Sequence, residues 1–196
     1  NDSIYGQTAL MNQTALISKT GYKFDSKNTF NLMISSHLYN QNSWFGLTHY
    51  KANQNFLYIN SQYERKWSKD HDFKTGMSFR NFNLDEKISF SKNPFLKTYG
   101  GSYLKNEFVP GVYAENIFNW KEDKYTLITG LRADYLESDI KITPRILFKT
   151  EITHKTIMRL SAGRGWRTVN IFSENIGIFS NQKNIVFIST PKPEVA

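Results

Sequence analysis

The sequence lacks cysteine, a long apolar run and a visible leader segment. The absence of cysteine excludes disulfide and Cys–zinc frameworks. No window approaches the roughly 20 consecutive apolar residues of a membrane-spanning helix, and apolar runs such as residues 185–188 are short. Residues 1–3 also lack the basic and apolar segments of a signal peptide. A secreted protein needs such a segment. If this chain belongs to one, we expect its gene product to begin upstream of residue 1.

The composition is polar but rich in aromatic residues. Hydrophobic residues make up 39% of the chain and aromatic residues 15%, values that a transmembrane barrel can have because only alternate strand residues face lipid. The net charge is +8, and Lys and Arg are spread along the whole chain. A nucleic-acid interface favours a clustered basic patch. The dispersed charge instead indicates a solvated basic surface or contact with anionic lipid headgroups, and no nucleic-acid partner is predicted.

The dominant hydrophobic period is two, which predicts β-strands rather than amphipathic helices. In one predicted strand Leu131 and Tyr135 alternate with Arg132 and Asp134. The same alternation starts near residues 57, 73, 142 and 158. Each predicted strand is about ten residues long, which is longer than the usual ~5–6 and matches the ~9–11 of a tilted membrane-spanning strand.

The connections between these strands are of two lengths, short and long. Short polar turns are predicted at 25–28, 68–72, 121–124 and 151–155, and longer connections at 39–53, 84–107 and after residue 166. The connection at 137–139 is brief and breaks the pattern. Short turns on one side and longer loops on the other are typical of outer-membrane barrels. Aromatic residues such as Tyr22, Trp67 and Trp120 flank the short turns, as in an interfacial girdle. A short helix is expected within 170–180.

Five distinctive sequence blocks follow one another from residue 109 onward. They read VPGVYAE (109–115), LITGLRADY (127–135), ITPRI (142–146), MRLSAGRGWR (158–167) and IFSENIG (171–177). Together these blocks resemble TonB-dependent outer-membrane receptors, especially those of Bacteroidetes-type bacteria. The resemblance covers roughly residues 54–188.

The resemblance implies a 22-stranded barrel with an internal plug domain, a TonB-binding segment and uptake driven by the proton-motive force. This chain has room for about eight strands, and no plug or TonB box can be identified in it. The predicted fold is therefore all-β, an antiparallel up-and-down meander forming part of a transmembrane outer-membrane barrel. Residues 1–196 are interpreted as an internal piece of the barrel domain. A self-contained small barrel is the minor alternative.

The resemblance also implies the function. We expect an active transport receptor, and not an enzyme, in the bacterial outer membrane. Its nutrient would be a scarce metal chelate or related compound, such as a siderophore, haem or a cobalamin-like molecule. The expected partners are outer-membrane lipid and lipopolysaccharide, the plug domain, the TonB complex and the small-molecule ligand. No cofactor is predicted.

Charged residues within the predicted strands form the first set of candidate site residues. An Arg that faces lipid near the midplane costs ~2–4 kcal/mol. We therefore expect the charges to face the lumen, where they pair with one another or with a plug. This set consists of Glu115, Arg132, Asp134, Arg145 and Arg159.

The second set lies in predicted extracellular connections, where aromatic and cationic residues are interleaved. Such groups suit an anionic, partly aromatic ligand. The candidate ligand contacts are Tyr99, Tyr103, Lys97, Trp166 and Arg167. The four histidines show no metal-ligand spacing such as H-E-x-x-H, and neither a metal site nor a catalytic group is predicted.

Two other functional classes remain open from the sequence. The first is a soluble β-sandwich acting as a carbohydrate-binding or adhesion module, with its apolar residues buried between two sheets. The second is a glycosidase-like β enzyme, which needs two carboxylates about 5–10 Å apart across a cleft.

Overall fold

The computed structural model describes residues 6–91, 98–122, 124–175, 177–180, 186 and 194–195. Eight strands form one sheet in sequence order. Their bounds are β1 Gln7–Lys23, β2 Asn28–Phe45, β3 Thr48–Lys66, β4 His71–Phe90, β5 Gly101–Trp120, β6 Tyr125–Leu136, β7 Asp139–Thr153 and β8 Thr156–Gly163. Beyond them, β9 (Trp166–Arg167) pairs with β10 (Glu194–Val195), and α1 (Ile171–Glu174) and α2 (Gly177–Ser180) are short helices.

Each of the eight strands pairs antiparallel with the next along the chain. This is the predicted up-and-down meander, and the fold class is confirmed. In the described part of the chain, β1 and β8 are the two edges of the sheet. No helix among the described residues is long and apolar enough to cross a membrane.

The sheet has two chemically different faces, which the register defines. Arg132 lies opposite Tyr113 on one side and Thr143 on the other, and we call the face that carries Arg132 the inner face. The other face, here the outer face, carries Leu131, which is 56% exposed, and Met77, which is 64% exposed. A β-sandwich would bury these side chains between two sheets. The sandwich interpretation is therefore wrong for this chain.

One end of the sheet carries a belt of ring contacts. The turns here span 24–27, 67–70, 121–124 and 154–155, close to the predicted positions. Trp67 stacks on Phe73 with ring centroids 5.3 Å apart, and Trp120 stacks on Tyr125 at 5.5 Å. His71 stacks on a further ring, that of Phe118, at 4.3 Å. Rings at one height suit a membrane–water interface.

At the opposite end the strands are longer than predicted. Strands β2 to β5 run for 18 to 20 residues, and β2 and β3 are joined by residues 46–47 alone. The prediction of a long connection at 39–53 is therefore wrong, and the connection predicted at 84–107 is reduced to residues 91–100. The strands continue past the apolar part of the outer face, where outward positions become polar, as at Asn53 and Asn83.

A small apolar core lies on the inner face at this end. It is formed by Phe45, Tyr50, Ala52, Phe82, Leu84, Ile88, Tyr99, Phe172 and Phe179. The last two come from α1 and α2, so a short helical region within 170–180 is confirmed. We call residues 164–175 and 177–180 the inward segment, because Ile171, Phe172 and Phe179 pack against the core on the inner face. The ring of Phe179 lies 4.8 Å from that of Tyr50, and Phe172 lies 4.7 Å from Tyr103.

Candidate functional site

The register places all five predicted charges on the inner face. Glu115 lies opposite Gly130, which lies opposite Arg145, and Arg159 lies opposite Lys149. Arg132 and Asp134 share a strand and a face, being two residues apart. Only this last pair forms an ion pair among the five in the described part of the chain.

Asp134 is the centre of the best-ordered polar cluster. It is 4% exposed and accepts hydrogen bonds from Nε of Arg132 to both of its oxygens, at 2.9 and 2.8 Å. The indole Nε1 of Trp166 donates to the same carboxylate at 3.1 Å. Arg132 also donates from Nη2 to Ser78 Oγ at 2.7 Å. A Cβ on Gly111 would collide with the Asp134 carboxylate, so this position needs glycine for the cluster to form.

A second ionic cluster ties β4 and β5 to the inward segment. Glu107 is 4% exposed and pairs with Lys105 Nζ at 3.0 Å and Arg80 Nη2 at 3.4 Å. Lys105 also donates to the carbonyl of Val169 at 2.8 Å. The guanidinium of Arg80 lies 5.0 Å from the ring centroid of Trp166, within cation–π range. Both clusters therefore hold Trp166 against the sheet.

A buried Tyr–Glu pair lies further along the inner face, beside the apolar core. The hydroxyl of Tyr50 donates to Glu86 Oε1 at 2.6 Å, and the two residues are 0% and 6% exposed. Burial raises the pKa of Glu86 above its ordinary value near 4.5, although the hydrogen bond from Tyr50 opposes the shift. Burial and the neighbouring carboxylate raise the pKa of Tyr50. Burial thus makes the Glu86 carboxyl harder to ionise than a solvated one.

Two of the predicted ligand contacts, Tyr99 and Arg167, make contacts within the protein. Tyr99 is 0% exposed, and its ring packs 5.1 Å from that of Phe90. Its carbonyl accepts a hydrogen bond from Tyr103 Oη at 2.9 Å. Arg167 pairs with Glu174 at 2.9 Å within the inward segment. Lys97 lies outside the described residues.

Sequence reasoning missed several of the residues that build these clusters. Lys105 and Glu107 were expected to lie in or beside a long loop, although they alternate with outward residues as strand residues do. Arg80 alternates with the apolar Phe79, but no local pattern indicates its partner Glu107. Arg164 was not singled out. The period-two signal through β4 and β5 could have found the first three residues.

Two polar cavities adjoin on the inner face, where the inward segment leaves the sheet. One has a volume of about 340 Å³ and is lined by Tyr58, Arg80, Val109, Arg132, Asp134, Thr143, Arg164, Gly165 and Trp166. Its neighbour, of about 310 Å³, shares Tyr58, Arg132, Thr143 and Arg164 with it and adds Glu115 and Arg145. Among the described residues no group of three or more His, Asp or Glu side chains could hold a metal ion.

A meander with an apolar outer face, an aromatic belt and a charged inner face defines part of the wall of an outer-membrane β-barrel. The family model "TonB dependent receptor-like, beta-barrel" matches residues 2–196. The chain therefore belongs to the TonB-dependent receptor β-barrel family, and the resemblance seen in the sequence is confirmed. This is a family of transport receptors and not of enzymes. No curated protein matches the chain.

Proposed function

We propose that the chain forms part of the barrel wall of a bacterial outer-membrane receptor that imports a scarce metal chelate or a related nutrient. The nutrient classes that fit best are siderophores, haem and cobalamin-like compounds. The observation that carries this proposal is the charged inner face, onto which the inward segment folds.

In this proposal the inner face lines the lumen. Glu115, Arg132, Asp134, Arg145 and Arg159 then face either the plug domain or the transported ligand. The outer face meets outer-membrane lipid and lipopolysaccharide, for which its exposed apolar side chains are suited.

The remaining strands and the plug of the receptor would complete this barrel domain. Within the described residues β1 and β8 pair with no further strand. This supports the proposal, because unpaired backbone groups in hydrocarbon cost several kcal/mol each and further strands would pair with them. TonB would supply the energy for uptake. The blocks at 127–135 and 142–146 support a Bacteroidetes-type member of the family.

Of the predicted ligand contacts, Tyr103, Trp166 and Arg167 border the entry side of this lumen. Tyr103 is half-buried beside a cavity of about 380 Å³ that Lys105, Asn170 and Phe172 also line. Such a position suits transient contact with a passing ligand. Tyr99 contributes by supporting Tyr103 from the core.

The proposal is tested by deleting the gene in its own host and restoring it on a plasmid. Uptake of a ferric siderophore, haem and cobalamin is measured separately, with and without a proton uncoupler. We expect the deletion to abolish uptake of one class, and the uncoupler and a TonB deletion to abolish the same uptake. Unchanged uptake of all three classes in the deletion strain would refute the proposal.

A further inference from the structure

The cavity of about 340 Å³ between the sheet and residues 164–166 is lined by three guanidinium groups. Arg80 and Arg132 come from β4 and β6, and Arg164 comes from the start of the inward segment. Two aromatic rings, those of Tyr58 and Trp166, also line it, together with Val109, Asp134, Thr143 and Gly165. We call Tyr58, Arg80, Arg132, Arg164 and Trp166 the arginine pocket.

Two of the three arginines are held in place by the protein. Arg132 is fixed by Asp134 and Ser78, and Arg80 by Glu107 and the ring of Trp166. Positioned guanidinium groups lose little freedom when they bind a planar anion, and their fork geometry matches a carboxylate. The pocket is therefore organised before any ligand enters.

The third arginine supplies charge that the pocket does not neutralise. The backbone N–H of Arg164 donates to the carbonyl of Pro144 at 3.0 Å, which anchors this residue at the edge of β7. Within the described residues, no carboxylate lies within ion-pairing distance of the Arg164 guanidinium. Arg145 forms no ion pair among the described residues either, but it shares the adjoining cavity with the carboxylate of Glu115. Asp134 and Glu107 thus offset Arg132 and Arg80, and a positive field remains at Arg164.

We propose that the arginine pocket binds a carboxylate group, held by Arg164. This inference deepens the proposed transport function and rests on it, because it assigns the imported nutrient to the carboxylate-bearing organic anions. A volume of about 340 Å³ suits a small ligand or one arm of a larger chelate. The rings of Tyr58 and Trp166 supply flat walls for a conjugated or chelating part of the ligand.

One alternative source of the same chemistry is a carboxylate of the receptor's own plug domain. A free anion and a plug side chain can be distinguished by measurement. Occupancy of the pocket by a free anion rises with the anion concentration, whereas a plug side chain stabilises the receptor before any ligand is added. The experiment therefore measures both quantities on the intact receptor.

The test uses the full-length receptor, purified in detergent, with citrate as the probe and its neutral trimethyl ester as the matched probe. Isothermal titration calorimetry is performed on the wild type and on Arg164→Gln, Arg164→Lys and Arg65→Gln. Arg65 is an exposed residue on the outer face near the end of β3 and is the matched control. Thermal unfolding without a probe is recorded for all four proteins.

We expect citrate to bind to the wild type and to Arg65→Gln, and the ester to bind to neither. Loss of one charge-assisted guanidinium–carboxylate contact weakens binding roughly ten- to hundredfold, so the citrate affinity of Arg164→Gln should be lower by that factor. The citrate affinity of Arg164→Lys should be intermediate, because lysine keeps the charge and lacks the two parallel N–H donors of the guanidinium. All variants should unfold at the wild-type temperature.

Two results would overturn the inference. The first is equal citrate affinity in the wild type and Arg164→Gln. The second is no citrate binding together with a lower unfolding temperature for Arg164→Gln, which would assign the pocket to a plug carboxylate. If citrate fails to bind while gene deletion still abolishes uptake of one nutrient class, the carboxylate site is refuted and the transport proposal is supported. If citrate binds and no uptake depends on the gene, only the transport proposal is refuted.

Discussion

Replacing Asp134 by alanine should release the inward segment from the sheet. Asp134 is the shared acceptor for Arg132 and Trp166, so the substitution removes the contact that joins β6 to residue 166. Breaking a buried pair costs about 3–5 kcal/mol because the partner charge is left uncompensated. The Arg132 side chain is 33% exposed, and water can solvate part of it. We therefore expect a loss of about 2–3 kcal/mol in unfolding free energy.

The effect on the inward segment is set by the indole hydrogen bond. A hydrogen bond to a charged acceptor contributes about 1.5–3 kcal/mol, and about 1.4 kcal/mol corresponds to a factor of ten. The detached population of residues 164–167 should thus rise roughly ten- to hundredfold. Asp134→Asn keeps an oxygen acceptor for Trp166 without the charge and should give an intermediate rise.

Limited trypsin digestion of the full-length receptor measures this population. Detachment exposes the peptide bonds after Arg164 and Arg167, so cleavage there should accelerate by the same factor in Asp134→Ala. Asp139→Ala serves as the control, because Asp139 is 65% exposed and pairs only with its neighbour Lys141 on the described part of the strand. Equal cleavage rates in the two variants would show that Asp134 does not hold the segment.

Three further predictions follow from the outer face, the buried carboxyl and the glycines. Leu131→Arg places a charge on the apolar outer face and should cost ~2–4 kcal/mol, lowering the folded fraction seen by heat-modifiability on gels. The raised pKa of Glu86 means that its protonated form stabilises the fold at pH 4 and below, and that this stability is lost as the pH rises through the folded pKa. Glu86→Gln should therefore have a higher melting temperature than the wild type at pH values above the folded pKa of Glu86, and the same melting temperature at pH 4. A Cβ at Gly76 would lie 2.6 Å from Cζ of Tyr113, whereas at Gly130 its nearest contact is 3.7 Å. Gly76→Ala should thus cost about 1–3 kcal/mol by overpacking, and Gly130→Ala should cost little in the same denaturant titration.

The sequence was sufficient to predict the meander and its faces. Hydrophobic alternation in β6 and β7 assigned Leu131 and Ile142 to one face and Arg132 and Thr143 to the other, and the register shows the same grouping. This succeeded because the side-chain period of a strand is two regardless of what covers each face. The short turns were found for a related reason, since polar residues interrupt the alternation there.

The candidate site was predicted less completely, because its contacts join distant parts of the chain. Arg132 and Asp134 are two residues apart, and their pairing could be inferred from one strand. Trp166 meets Asp134 only because the inward segment folds back over the sheet, and no local pattern encodes that fold-back. Lys105 reaches Val169 in the same way. Long-range contacts of this kind need the tertiary structure.

The misassigned loops have a physical explanation in the way polarity changes along β3 and β4. In one half of β3 the outward residues are apolar, as at Leu57, and the inward residues are polar, as at Gln62. In the other half the outward residues are polar, as at Asn53, and Tyr50 is buried on the inner face. Beyond the apolar part of the outer face the outward residues are polar, while the inward segment covers the inner face there. The alternation therefore continues with its sign reversed, and at the reversal it looks like a break in the strand. In this sheet the reversal marks the start of the apolar core on the inner face, whereas a true loop loses the alternation altogether.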